Sequence, residues 1–355
     1  MSVFVIAEAG VNHNGDHDMA LALIDAAVDA GADAVKFQTF TANALVSADA
    51  PKAAYQNQTT DTGETQLEML KRLELPYALH HQLVETCKEK GIKFLSSPFD
   101  ETSLGFLVDE LKLDTLKIPS GEITNGPLLL QAGISGRGII LSTGMSTLDE
   151  VEAALGVLAF GLTDADGEPS PDAFKDAFAS DQGQAALKEK VTVLHCTTEY
   201  PAPFEDANLR AMATMRDAFG LKVGFSDHTP GIAVAIAAAA LGATVVEKHF
   251  TMDRTLPGPD HKASLEPGEL KDMVAGIRAV ERALGDGKKT SRPSEIKNMA
   301  IARKSLVAAR DLAKGETITA ADLKAKRPGT GVSPMEYWDR LGQILDRDVA
   351  EDELI

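Results

Sequence analysis

Residues 231–250 read GIAVAIAAAALGATVVEKHF, and how that stretch divides decides the fold. Its apolar part, 231–246, is shorter than the roughly 18–20 residues that span a bilayer. It divides better at Gly242, into an Ala-rich helix and a strand. In the strand Thr244, Val245 and Val246 are stiff at χ1 and suit a pleat. The strand then turns polar. Side chains alternate across a strand, so Glu247 and His249 share one face and Lys248 takes the other. In isolation such an ending is a strand tip meeting solvent.

Working outward, the same kind of strand recurs seven times toward the N-terminus: VFVIAEAG from Val3, AVKFQTF from Ala34, KFLSSPF from Lys93, TLKIPSGE from Thr115, GIILSTGM from Gly138, VTVLHCTT from Val191 and KVGFSDHT from Lys222. Amphipathic stretches such as HDMALALIDAAVDAGA and LDEVEAALGVLAFG separate them, with apolar residues near helical spacing. Eight βα units in about 280 residues predict a (β/α)8 TIM barrel. An open doubly wound sheet would carry an early glycine-rich phosphate loop, which is missing here. Two segments break the rhythm. A polar loop over 47–70 follows strand two, on the carboxyl face, where it could form a lid; 161–190 precedes strand six and reads as decoration. The expected organisation is a barrel over 1–285, a Gly/Pro linker over 286–295 and a small β-rich domain over 296–355.

Hydrophobic content of 44% and charged content of 25% suit a globular chain, and a formal charge of -18 argues against nucleic acid and anionic membranes as partners. An anionic substrate must then be met by locally placed basic groups. Two cysteines make no disulfide framework and no zinc pattern, which together with the absence of a signal peptide at the start reads as cytoplasmic.

In a barrel all eight strand ends meet on one face. They carry Glu8 with Asn12 and His13, Lys36 with Gln38, Ser96 and Ser97, Lys117 with Ser120 and Glu122, Ser142 and Thr143, Thr197 and Thr198, Ser226 with His228, and Glu247 with His249. Catalytic groups of this fold stand at such ends. A lysine inside an apolar strand is costly without an anion, so Lys36 and Lys117 point to a phosphorylated or carboxylated small molecule, to structural pairs with Glu8 or Glu122, or to Schiff-base chemistry. His228 and His249, on neighbouring strands, suit a divalent metal that also binds substrate. His13, His195 and His261 each read as surface or core histidines, and His80 and His81 as a solvated helical pair.

These motifs resemble a known family. IAEAGVNHNG, VKFQTF, KIPSGE, LSTGM, HCTTEYPAPF, GFSDHT and EKHFTMDRTLPGPDHKASLEP follow in the order of the sialic acid synthases, and RKSLVAARDLAKGE with KRPGTG is similar to their C-terminal antifreeze-like (SAF) module. The resemblance covers nearly the whole chain. It implies metal-dependent condensation of phosphoenolpyruvate with an N-acylated mannosamine-type sugar. It also implies that Lys36, Ser97, Lys117, Ser120, Ser142 and Ser226 hold phosphoenolpyruvate, and that His228 and His249 hold manganese or magnesium. Glu8, Tyr200, Glu247 and Asp260 are implied as sugar contacts, with Glu122 beside the reacting centre. Arg327 would reach the N-acyl group from the other subunit of a domain-swapped homodimer. Thr198 stands where one relative in that family has Asn, a departure at the contact to the sugar's hydroxyls on that side. For the proton of the attacking water, Glu122 comes first and Glu247 second.

The expected activity is N-acetylneuraminate synthesis from N-acetylmannosamine, with legionaminic acid synthesis from 2,4-diacetamido-2,4,6-trideoxymannose as the alternative. A lysine-dependent aldolase and a non-catalytic sugar-binding protein are the remaining readings. Borohydride trapping would reveal the first. The second would release no phosphate from phosphoenolpyruvate when an amino sugar is added.

Overall fold

In the computed structural model, which describes residues 2–48, 50–53, 56, 60 and 63–355, the chain forms two compact units that divide after Gly285. In the first, eight parallel strands follow the sequence-read segments: β1 Phe4–Gly10, β2 Ala34–Thr39, β3 Lys93–Pro98, β4 Thr115–Ile118, β5 Gly138–Ser142, β6 Val191–Cys196, β7 Lys222–Asp227 and β8 Val245–His249. Their hydrogen-bonded order is β3-β2-β1-β8-β7-β6-β5-β4, and β3 packs against β4 to close the barrel. The opening stretch divides as expected, into the helix Ala233–Ala240 and β8. Among the described residues no helix is long and apolar enough to cross a membrane.

Helix starts are chemically marked. Asp16 caps His17–Ala30 by accepting from Met19 N at 2.7 Å, and left-handed Gly31 ends it. Thr147 with Glu150, and Thr65 with Glu68, form reciprocal capping boxes for Leu148–Thr163 and Gln66–Leu73. The segment 161–190 adds the helices Pro171–Ala179 and Asp181–Lys190, packed outside on Leu148–Thr163. The middle of the 47–70 loop, where a lid was expected, lies outside the described residues.

The barrel interior dictates where the site falls. Ile6, Ala34, Leu95, Ile140, Leu194 and Val245 form one inward-facing apolar cluster. Two residues further along each strand, on the same face, stand Glu8, Lys36, Ser97, Ser142, Cys196 and Glu247. A hydrophobic floor thus carries a polar layer. Gly224 completes the floor on β7, since a Cβ there would lie 2.4 Å from Val245 O and 2.6 Å from a Leu194 methyl; two residues on comes Ser226.

The second unit, 286–355, pairs β9 Ser305–Ala308 antiparallel with β10 Leu323–Lys326 over a core including Leu306, Leu312, Ile318 and Val349. A helix, Pro293–Ala302, starts inside the stretch read as linker, with Pro293 at its first turn and Glu295 capping back to Arg292 N at 3.0 Å.

Candidate active site

Strand register brings the charged residues together. Glu8 lies beside Lys36 on β2 and His249 on β8, and Glu247 lies beside Ser226 on β7. Lys36 Nζ sits 2.7 Å from Glu8 Oε2 and 3.7 Å from Glu247 Oε2, and donates to Ser97 Oγ at 3.0 Å. Lys117 Nζ stands 3.3 Å from Glu247 Oε1, which also accepts from Ser226 Oγ at 2.8 Å. Both lysines are buried, so the structural pairing expected with Glu8 is present for Lys36, while the partner of Lys117 is Glu247 rather than Glu122.

The electrostatics follow from burial. Desolvation, helped by the neighbouring Glu247 charge, pushes the Glu8 carboxyl up to about 7 against the pull of Lys36. Burial also works to raise Glu247, but Lys117 and Lys36 outweigh it and hold that carboxyl down at about 2. Lys117 is lowered, by burial first and by Lys36 beside it. Two cations therefore face two carboxylates, of which Glu8 is the one that takes up a proton near neutrality.

These groups line an inner pocket of about 200 Å³, with Ser120, Ser142, Cys196, Thr198, Tyr200 and His228 around it. Ser142 Oγ and Thr198 Oγ1 are buried without a hydrogen-bond partner among the described residues, so each can still serve a ligand. Ser120 Oγ accepts from Gly144 N at 2.9 Å; a Cβ on Gly144 would come within 2.4 Å of Thr198 Oγ1. Only glycine fits there. Thr198 thus reaches the pocket by its hydroxyl.

His228 and His249 stand with ring centroids 5.5 Å apart, and the Tyr200 ring covers both, 4.2 Å from His228 and 5.6 Å from His249. His228 Nδ1 donates to the Thr197 carbonyl at 2.6 Å, which fixes the tautomer and turns the Nε2 lone pair inward, where Ser226 Oγ lies 3.4 Å away. Burial holds His228 down at about 4 and His249 well below its ordinary value, so both rings are neutral. His249 Nδ1 is buried with no hydrogen-bond partner among the described residues and lies 4.0 Å from Asp260 Oδ2. Neutral, orientated imidazoles are the ligand form, and the pair fits a divalent ion that keeps exchangeable positions. Among the described residues no group of three or more His, Cys, Asp or Glu side chains is arranged to hold a metal.

Glu122 and Asp260 fall outside the inner pocket. They line an adjoining outer chamber of about 350 Å³, which shares Gln38, Phe99, Gly121, Tyr200 and His249 with it. The short 3₁₀ turn Ser120–Glu122 carries Glu122 there, where Asn125 Nδ2 donates to it at 2.7 Å and burial raises its pKa. Asp260 is pushed up to about 6 by burial. Arg327 is exposed in the second unit and donates from Nε to Ala302 O at 3.0 Å.

Several strand-end groups turn out to be structural. Asn12 ties Phe250 O to Ser264 Oγ, Thr143 Oγ1 donates to Leu194 O, and His13, His195 and His261 are held by hydrogen bonds within the barrel. His80 is the clearest departure. Expected in solvent, it is buried, donating to Pro76 O and meeting Thr39 Oγ1, because its helix turns that face onto Phe94 and Phe106. Sequence reasoning also missed Cys196, which the two-residue alternation from Leu194 would have found. It missed the brace behind the histidines too: buried Lys248 reaches Asp227 Oδ2 at 2.9 Å and also Thr229 O, while Asp227 Oδ1 accepts from Thr229 N and Oγ1.

Residues 23–289 match the NeuB family, three quarters of the chain. The chain belongs to the NeuB family. Residues 303–355 match the SAF domain. The chain is 49% identical over 351 residues to the N,N'-diacetyllegionaminic acid synthase of Campylobacter jejuni, covering 99% of this chain and 98% of that protein. It is 45% identical over 350 residues to the enzyme of the same name from Legionella pneumophila, covering 99% and 92%. A crystal structure of N-acetylneuraminic acid synthetase from Leptospira borgpetersenii superposes with a TM-score of 0.66 at 33% identity, covering 84% of this chain and 90% of that one. As a NeuB protein the chain is a phosphoenolpyruvate-dependent nonulosonate synthase, and the barrel followed by a SAF domain is the architecture its motifs led us to expect.

Proposed function

We propose that this NeuB protein condenses phosphoenolpyruvate with 2,4-diacetamido-2,4,6-trideoxymannose and water, giving N,N'-diacetyllegionaminate and phosphate. The sugar named first from sequence, N-acetylmannosamine, becomes the second choice: the two relatives at 49% and 45% identity carry the legionaminic name, while the sialic acid synthetase structure stands at 33%. The observation that carries the reading is the inner pocket, where two buried lysines converge beside unbonded Ser142 and Thr198 hydroxyls and two neutral histidines.

Lys36 and Lys117 meet the phosphate and carboxylate of phosphoenolpyruvate, with Ser97, Ser120 and Ser142 donating to the same oxygens and Ser226 turning its hydroxyl from Glu247 to join them. Because Glu8 and Glu247 already offset the two lysines, a trianionic substrate calls for further positive charge. A manganese or magnesium ion held by His228 and His249 would supply it, and would polarise the sugar aldehyde as a Lewis acid. C3 of phosphoenolpyruvate bonds to the aldehyde carbon, and the cationic charge developing at C2 lies over the Glu8 and Glu247 carboxylates. Water adds at C2 and phosphate departs with the bridging oxygen. Glu122, raised by burial, takes the proton of that water, and Tyr200 and Asp260 orient the sugar. In a domain-swapped homodimer, Arg327 of one chain grips the N-acyl carbonyl in the other's barrel with its planar donors.

The test is turnover of both sugars with phosphoenolpyruvate labelled at the bridging oxygen. Labelled phosphate and a higher kcat/KM for the diacetamido sugar are expected. Preference for N-acetylmannosamine restores the first choice, and label retained in the sugar rules out water attack at C2.

A further inference from the structure

The two chambers differ in their walls. The inner pocket is charged, whereas the outer chamber joins polar residues, Gln38, Gln56, Gln66, Glu122, Tyr200 and Asp260, to an apolar patch made of Leu45, Val46, Leu70 and Phe99. That apolar side is contiguous. Leu45, Leu70 and Phe99 pack on a small cluster, separate from the main core, whose buried members are Val11, Phe40, Met69 and Leu73. Those four are buried, Val11, Met69 and Leu73 still edging the chamber, while Leu45, Leu70 and Phe99 are only half-buried and line it. The helix Gln66–Leu73, started by its Thr65 capping box, sets Met69, Leu70 and Leu73 on neighbouring positions of one face.

We infer that this apolar wall is a specificity element that reads the far end of the sugar chain, accepting a C6 methyl and disfavouring a C6 hydroxyl. The inference rests on the proposed condensation and names the feature of the sugar that the site selects. Carbon–carbon bond formation places the aldehyde carbon at the inner pocket, against the anion held by Lys36 and Lys117. The rest of the open six-carbon chain then runs outward, so its distal carbons, C4 to C6, lie in the outer chamber. Nitrogen- and oxygen-bearing carbons find partners on the polar side. A methyl needs none and gains by leaving water, while a hydroxyl against Leu45, Val46 and Leu70 would lose its hydrogen bonds. An apolar wall rejects an added hydroxyl only moderately, by about 10- to 100-fold.

The experiment compares N-acetylmannosamine with its 6-deoxy analogue, with the diacetamido trideoxy sugar assayed alongside. Wild-type kcat/KM should favour the 6-deoxy analogue by about tenfold or more. Val46→Thr, an isosteric change, and Leu70→Gln, which keeps a helix-forming residue, each offer a C6 hydroxyl a partner. Both should cut the preference at least about fivefold, with KM for phosphoenolpyruvate held near wild type. No 6-deoxy preference in the wild type, or one that both variants leave within twofold, overturns the wall. Rejection of the diacetamido sugar by a wild type that still prefers the 6-deoxy analogue overturns the proposed product and leaves the wall standing.

Discussion

The barrel and the small C-terminal unit bury charge in opposite ways. In the barrel, Lys36, Lys117, Lys248, Glu8, Glu247 and Asp227 lie in the interior, with neutral histidines beside them. In residues 286–355 the buried charged side chain among the described residues is Asp322, held by Thr319 within its own turn and by Arg310 from the segment after β9, and there is no histidine. Buried charge costs stability unless it is paired and hydrogen-bonded, so the layer of Glu8, Lys36, Lys117 and Glu247 inside the barrel is carried for chemistry. The small unit has the ordinary pattern, an apolar core and solvated charges. The contrast assigns the reaction to the barrel.

The largest expected effect would break that division. On the proposed reading, the small unit lends one group, Arg327, to a partner's site. Arg327→Ala should lower kcat/KM by about tenfold or more through loss of a charged hydrogen bond, and His249→Ala should abolish condensation. Co-expressed, the two variants should complement. Random pairing makes half the dimers mixed and each mixed dimer has one intact site, so roughly a quarter of sites should work. No recovery in verified mixed dimers would mean that Arg327 serves its own barrel or is a surface residue.

A smaller effect sharpens the contrast. Lys248 and Asp227 form a fully buried pair on the side of the sheet facing the helices, and each is the immediate neighbour of a pocket histidine. Lys248→Met leaves Asp227 charged and unpaired by any cation, which should cost the barrel about 3–5 kcal/mol. Hydrogen exchange followed by mass spectrometry reads the two regions separately. Peptides from β7 and β8 should lose protection while 305–349 stays unchanged. Equal loss in both regions would mean that they unfold as one.

Much of this was legible because alternation is a strong signal. The apolar residues Ile6, Ala34, Leu95 and Val245 announce that Glu8, Lys36, Ser97 and Glu247 follow on the same inward face, and that is the inner pocket. What failed to show was whatever depends on contacts across strands or on loop paths. Lys248 finds Asp227 on the next strand through the register, which no local pattern states. Glu122 stands one residue beyond Gly121 in a tight turn, and the backbone path there, not the strand period, sends it to the outer chamber. The apolar wall is scattered between Leu45 and Phe99, across a loop whose sequence reads as polar. His80 failed for a related reason: its helix is nearly as polar as a solvated one, and only the packing of Phe94 and Phe106 shows which face is turned in.

His80 also carries the smallest and most local prediction. With His13 and His261 it belongs to a group of rings held neutral, mainly by burial: His13 is lowered to about 3, His261 to about 4, and His80 below its ordinary value. An unfolded histidine takes up a proton near pH 6.5, while these rings refuse it in the fold. The unfolded state therefore binds more protons in this window, and stability falls as pH drops from about 6.5 toward the folded values, by up to about 1.4 kcal/mol per pH unit for His13 and for His261 and in the same direction for His80. The small unit, without histidine, should show none of this component. His80→Gln keeps a side chain that can accept from Thr39 and donate nearby, and it removes the titration. It should flatten the acid dependence of the barrel's exchange protection below pH 6.5, with 305–349 unaltered. An unchanged slope would mean that His80 is protonated in the fold at these pH values, and that its bonds to Pro76 and Thr39 outweigh its burial.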